Sequence, residues 1–238
     1  MHLARSSYRL QLHRDFTFED LKTIIPYLDK LGISTIYAAP FFEAMPGSTH
    51  GYDVINPLRI NPEIGTLEEF RQIAQELKAR NMQWLQDIVP NHMAFSSLNP
   101  WIYDLLEKGP HSPYYHFFDV NWIYPEKQLY GKLMVPTLGD NQEAVIQNGE
   151  LTLQFGSSGY GFSYYEHRFP ANLQTYPTLL SRVAAKLKEV QKTKAITEFL
   201  ALVKRIEDFV SQLSAVSSPA DGWESLLKQL LYLSDQYP

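Results

Sequence analysis

The sequence contains no cysteine. That excludes disulfides, thiolate metal sites and a cysteine nucleophile, and it agrees with a reducing compartment. No apolar run is long enough to span a bilayer, and the opening MHLARSSYRL lacks the apolar core of a signal peptide. Neither membrane insertion nor secretion is expected, and the expected location is the cytoplasm. There is also no basic block: 21 Lys and Arg stand against 26 Asp and Glu, for a net charge of −5. The electrostatic footprint of a nucleic-acid-binding protein is therefore missing. An uncharged or weakly polar ligand fits better. What is present is a composition of 45% hydrophobic and 20% charged residues over 238 positions, enough to bury a substantial core in one large domain or two small ones.

The first 90 residues alternate between two hydrophobic periods. SYRLQLH (7–13) is a short alternating run. The stretch 17–32 then places Leu21, Ile24, Ile25, Leu28 and Leu31 on one helical stripe, with Thr17 and Asp20 as a capping box and Gly32 as a stop. ISTIYAAP reads as a buried strand ending at Pro40, followed by a loop from Phe41 to Gly65. A second helix follows, with Thr66 and Glu69 as its capping box and Leu67, Phe70, Ile73, Ala74 and Leu77 facing inward. MQWLQDIVP supplies a third strand. Strand, helix, strand, helix, strand implies parallel pairing through crossovers, the α/β class.

After Pro90 the pattern changes. Residues 91–175 are rich in Trp, Tyr, Phe, Pro and Asn and show little helical periodicity, as expected of an inserted subdomain; ELTLQF and YGFSYYEH flank GSSG as a hairpin with a longer, Gly-containing loop. Residues 176–238 form a helical segment, with a break at the polar QKTK. Its last helix takes Ser218 as N-cap and Pro219 as first residue, with Trp223, Leu226, Leu227, Leu230 and Leu231 as its apolar face.

In parallel β/α architectures ligands bind at the carboxyl ends of the strands. The loop after the second strand carries His50, Tyr52 and Asp53, and the end of the third carries Asp87, Asn91 and His92. A pyranose has apolar C–H faces and a rim of hydroxyls, so its site combines an aromatic platform with a few fixed hydrogen-bonding groups. Tyr52 offers the ring, Gly51 beside it removes a side chain that would block approach, and His50, Asp87 and His92 offer the polar groups. His50, His92 and Asp53 lack tight metal-ligand spacing, which favours a structural or sugar-contacting role for them.

PGSTHGYDV, INPEIG, WLQDIVPNHMA, NPWIYDLLEKGP, YYHFFDVNW, GKLMVPTLGD, NGELTL and YYEHRFP resemble, in order and spacing, the N-terminal part of maltooligosyltrehalose synthases, members of the α-amylase superfamily. The resemblance covers roughly residues 7–170 and implies a (β/α)8 barrel. Residues 1–90 would be its first three βα units, 91–175 an insertion and 176–238 a helical segment, the barrel being incomplete in this chain. By the resemblance, Tyr52 stacks on the sugar at the reacting bond with His50 beside it, His92 hydrogen-bonds the same sugar, and Asp87 helps hold the site together. Asn91 matches a calcium ligand of many amylases, but a metal is not typical of the synthases, so the resemblance implies no metal and no cofactor.

The implied reaction turns the reducing-end α-1,4 linkage of a maltooligosaccharide into an α,α-1,1 linkage by retaining intramolecular transglycosylation. It requires two carboxylates, the nucleophile within Gly-x-Arg-x-Asp. The sequence has no such segment. VKRIEDF, the nearest string, lies in an amphipathic pattern as a solvated face, and nothing pairs Asp53, Asp87 and Asp119. The catalytic carboxylates are therefore expected beyond Pro238, in the remainder of the same polypeptide or in a complementing chain. Two other readings stay open at this point: a stand-alone, non-catalytic α-glucan-binding or regulatory protein, and an ordinary α-glucan hydrolase.

Overall fold

In a computed structural model of the chain, residues 5–135, 137–187, 189, 193–213 and 219–237 are described. They divide into two compact units, Met1–Pro100 and Trp101–Pro238.

The first unit is built on a parallel sheet of three strands, β1 (Ser7–Leu10), β2 (Thr35–Ala38) and β5 (Gln83–Gln86), in the order β1-β2-β5. Helix α1 (Phe18–Lys30) joins the first two, and α2 (Leu67–Ala79) precedes the third. Both helices begin as the sequence predicts: Thr17 and Asp20, and Thr66 and Glu69, form reciprocal capping boxes. Both also end alike. The N–H of Gly32 bonds the carbonyl of Asp29 and that of Ile33 the carbonyl of Leu28; Asn81 and Met82 repeat the pattern onto Lys78 and Leu77. This paired closure needs a left-handed residue just past the helix, supplied by Gly32 at φ +84° and Asn81 at φ +56°.

The strand register places Tyr8, Leu10, Ile36, Ala38, Trp84 and Gln86 on one face. Leu10, Ile36 and Ala38 are buried there against Phe18, Leu21, Ile25 and Leu28 of α1 and Ile73 and Leu77 of α2. Each Leu, Ile or Phe side chain taken wholly from water contributes about 1.5–3 kcal/mol. Phe41, Phe70 and Trp84 lie 4.9–5.9 Å apart ring to ring, with Phe18 against the first two. The opposite face carries Arg9, Tyr37 and Leu85, directly opposed in register, with Leu85 53% exposed. The helical stripes are narrower than expected: Leu31, Leu67 and Ala74 are exposed, Leu31 because α1 has already ended and Leu67 because it opens the first turn of α2. The stretch expected to be loop also holds an antiparallel pair, β3 (Phe42–Ala44) with β4 (Val54–Ile60).

The second unit contains α3 (Pro100–Lys108) from its second residue onward, α4 (Gln142–Gln147), a three-stranded antiparallel sheet, and three longer helices. The sheet, β6 (Leu151–Gly156), β7 (Gly159–Tyr164) and β8 (His167–Pro170), contains the expected hairpin and adds a third strand, but the connection is two residues rather than the longer loop expected, because both flanking glycines are paired within the strands. Helices α5 (Tyr176–Leu187), α6 (Lys194–Ser211) and α7 (Pro219–Gln236) bury Tyr176, Leu180, Leu202, Val203, Ile206, Trp223, Leu226 and Leu230 in one core. Within α6, VKRIEDF points Val203 and Ile206 inward while Lys204 pairs with Asp208 at the surface. The expected N-cap Ser218 lies outside the described residues. At the centre, the indole N–H of Trp223 donates to Glu107 at 3.2 Å. Glu107 is 8% exposed, and burial holds its carboxyl above the usual range although the indole bond opposes this.

Candidate functional site

Parallel pairing brings the carboxyl ends of β1, β2 and β5 to one edge of the sheet, and the candidate residues gather there. Beyond β5 the ladder runs one residue further, the N–H of Asp87 donating to the carbonyl of Ala38 at 2.9 Å. Asp87 therefore follows Gln83 and Leu85 on the face that the helices leave open. Its Oδ2 accepts the hydroxyl hydrogen of Tyr52 at 2.6 Å. A 35-residue separation in sequence is closed by that bond.

Tyr52 is held from a second side. Arg9, from β1, donates through Nη2 to the Tyr52 hydroxyl at 3.0 Å and lies 3.5 Å from Asp87 Oδ2 through Nη1. Its guanidinium also sits 5.1 Å from the centre of the Tyr37 ring, its register partner on β2. The bond to Asp87 pushes the Tyr52 phenol above its ordinary pKa, burial adds to the rise, and the Arg9 charge opposes it. Tyr52 is thus a neutral donor at physiological pH.

The loop from Met45 to Asp53 is fastened along its length. Gly47 N–H donates to the Glu63 carboxylate at 3.0 Å, Gly51 N–H to Ser48 Oγ at 3.1 Å, and Ser48 Oγ–H to Asp53. Gln11 donates its side-chain amide to the carbonyls of Thr49 and His50, at 3.1 and 3.2 Å. Gly51 has φ +74°, and a Cβ built there would lie 2.4 Å from the carbonyl oxygen of Pro40. The glycine is therefore required by the close passage of Pro40, a reason different from the ligand access read from the sequence.

His50 lies beside Tyr52, the two rings 5.9 Å apart and 22° from parallel. Its Nδ1 accepts the backbone N–H of Tyr52 at 3.1 Å. The same nitrogen is 3.7 Å from Asp53, but it cannot accept from one group and donate to the other. The shorter contact assigns the neutral tautomer, with the Nε2 hydrogen available to a ligand. Asp53 itself is occupied by Ser48 and acts within the loop. Asn91 and His92 are exposed, and His92 Nδ1 meets Asn91 Oδ1 at 3.0 Å. Of the six residues named from the sequence, Tyr52, Asp87 and His50 thus come together, Asp53 braces their loop, and Asn91 and His92 pair with each other. Arg9 and Gln11 were not singled out. The signal was present: two polar residues at alternate positions, Arg9 in β1 and Gln11 just past its end, between the buried Leu10 and Leu12. Among the described residues no three His, Asp or Glu side chains are grouped so as to hold a metal ion, and no helix is long and apolar enough to cross a membrane.

The sequence pattern of the family described as "Alpha amylase, catalytic domain" matches residues 17–192. The chain belongs to the alpha-amylase family. Within this family it is 35% identical over 145 residues to a putative maltooligosyl trehalose synthase of Mycobacterium tuberculosis, covering 58% of this chain and 18% of that protein. A crystal structure of a maltooligosyl trehalose synthase superposes with a TM-score of 0.65 at 38% identity, over 71% of this chain and 22% of the other. The trehalose-6-phosphate hydrolase of Escherichia coli is 36% identical over 102 residues, 42% of this chain and 18% of the hydrolase. The alpha-amylase chain described here therefore spans about a fifth of the length of these relatives. Its TIM-barrel-like fold is shared with the solved synthase.

Proposed function

We propose that this chain is the N-terminal portion of an enzyme that converts the reducing-end α-1,4 linkage of maltooligosaccharides into an α,α-1,1 linkage. The observation that carries this reading is the reach of the similarity: synthases match 58–71% of the chain, the hydrolase 42%. On this reading β1, β2 and β5 with α1 and α2 are the first βα units of a (β/α)8 barrel, and the face bearing Arg9, Tyr37 and Leu85 is turned to its interior. Residues 91–175 are an insertion and 176–238 a helical segment packed with it, within a cytoplasmic enzyme.

In the proposed site the Tyr52 ring stacks on the apolar face of the sugar at the reacting bond, its edge fixed by Asp87. His50 offers Nε2–H to a sugar hydroxyl, while His92 reaches the same sugar from the turn after β5. Gly51 and Asp53 maintain the loop, and Asn91 orients His92. Retaining transfer needs a nucleophilic carboxylate and an acid/base carboxylate about 5–5.5 Å apart. Asp87 is engaged by Tyr52 and Arg9, so we assign both catalytic carboxylates to sequence outside these 238 residues. The protein carrying this sequence, incubated with maltohexaose, is expected to consume reducing ends without releasing glucose and to yield the anomeric proton signal of an α,α-1,1 linkage. Reducing ends that persist, or that increase through hydrolysis, would sink the reading.

A further inference from the structure

We propose that Arg9, assisted by Gln11, is a positioning residue that sets the orientation of the sugar-stacking Tyr52 and couples it to Asp87. The proposal rests on the sugar reading of Tyr52 given above but is argued from different contacts. Alternation along β1 sends Leu10 into the core and Arg9 to the open face, and just past the strand Leu12 is buried while Gln11 turns to the loop that follows β2. The two side chains meet one loop at three places. Gln11 holds the carbonyls of Thr49 and His50, and Arg9 holds the hydroxyl of Tyr52.

Geometry separates Arg9 from an ordinary surface cation. Its fork spans two acceptors, the Tyr52 hydroxyl through Nη2 and Asp87 Oδ2 through Nη1, while its plane is backed by the Tyr37 ring on the adjacent strand. A planar guanidinium can do this and an ammonium cannot. The Tyr52 hydroxyl thus donates to Asp87 and accepts from Arg9, so both of its hydrogen-bonding directions along the ring plane are set. A phenol held only by Asp87 keeps one such constraint and can swing about it. Stacking requires the ring face to lie parallel to the sugar, and swinging about that bond turns the face away. The Arg9 charge also faces the phenol, so its removal has a signature at Tyr52 that loss of packing alone does not give.

The test uses the whole protein carrying this sequence, with tyrosines labelled at Cζ, the Tyr52 resonance being assigned by its loss in Tyr52→Phe, together with maltohexaose titration. Arg9→Gln is expected to raise the midpoint of Tyr52 ionisation, because the cation opposing its rise is gone, and to weaken maltohexaose binding about tenfold. Arg9→Lys restores the charge without the fork, so the Tyr52 midpoint returns toward that of the unaltered chain while binding stays weakened. An Arg9→Gln chain with both the original Tyr52 titration and the original affinity overturns the proposal. Should Arg9→Gln not fold, full affinity in Arg9→Lys overturns it instead. If the unaltered protein does not bind maltohexaose yet Tyr52 responds to Arg9→Gln, the sugar reading fails and the hold of Arg9 on Tyr52 stands.

Discussion

Replacing Gly51 by alanine isolates the contact on which the geometry of the loop depends. A residue with a side chain at φ +74° costs about 1–2 kcal/mol even in open space. Here space is also lacking, since the new Cβ would lie 2.4 Å from the carbonyl oxygen of Pro40, about 1 Å inside ordinary contact. That oxygen belongs to backbone preceding β3 and cannot turn aside as a side chain would. The loop must therefore lift away from Pro40, and the contact most exposed to the movement is the hydroxyl bond of adjacent Tyr52 to Asp87. A hydrogen bond to a charged group contributes about 1.5–3 kcal/mol, so the closed loop should lose about 10- to 150-fold in population. Two signals report this: the N–H of Met45, bonded to the carbonyl of Asp53 in the closed loop, exchanges faster by that factor, and the Tyr52 ionisation midpoint falls toward that of a free tyrosine. Gly47→Ala is the control. It has φ +75° in the same loop but only an Arg14 side-chain nitrogen near, at 3.9 Å, so it bears the backbone cost without the collision. Equal exchange rates at Met45 in Gly51→Ala and Gly47→Ala would refute the reasoning.

Three other outcomes are expected. Glu107→Ala strands the buried indole N–H of Trp223 and should lower the unfolding free energy of the second unit by about 1–3 kcal/mol, measured by urea denaturation, whereas Glu107→Gln keeps an acceptor and should be milder. Because the folded Glu107 carboxyl titrates above its unfolded value, its contribution is fully present below the unfolded pKa and is lost as pH rises through the folded pKa; Glu107→Gln should flatten that part of the stability–pH curve, and an unchanged curve would contradict the assignment. Asn81→Val puts a β-branched side chain at φ +56° and should cost about 1–2 kcal/mol in thermal unfolding, while Asn81→Gly should cost nothing. Finally, Tyr52→Phe retains the ring but removes the bond to Asp87, so it should weaken maltohexaose binding less than Tyr52→Ala; equal losses would show that the hydroxyl, not the stacking face, matters.

Much of the first unit was legible because its signals are local. A capping box joins residues three apart, and the closing turn after each helix joins residues three and five apart, so Thr17, Asp20, Gly32, Thr66 and Glu69 could be placed without knowing the fold. Elements were missed where a local signal misled. Pro57 inside VINPLRI argues against a strand, yet β4 runs through it because an outer strand leaves one side of its backbone unpaired. Helix α3 sits in an aromatic-rich tract whose composition reads as loop, and it begins at Pro100, a residue tolerated in the first turn of a helix.

The site shows the same boundary more sharply. Tyr52 and Asp87 could be named because parallel strands carry their functional residues at their carboxyl ends, a rule needing only the strand positions. The two residues meet because β2 and β5 are neighbours, with Asp87 extending the ladder by one rung onto Ala38. Arg9 lay within the same rule, at the end of β1, yet alternation on a short strand says which residues share a face and not what stands opposite. Its partners lie 28, 43 and 78 residues away in Tyr37, Tyr52 and Asp87. An arginine beside buried leucines reads as the wet side of an edge strand until the loop after β2 is known to fold back over it. That return is enforced by Gly51 against Pro40, a contact made possible by a missing atom. The strand ends thus indicate where chemistry can occur, while the choice of Arg9 as its brace depends on a backbone approach that no residue pattern displays.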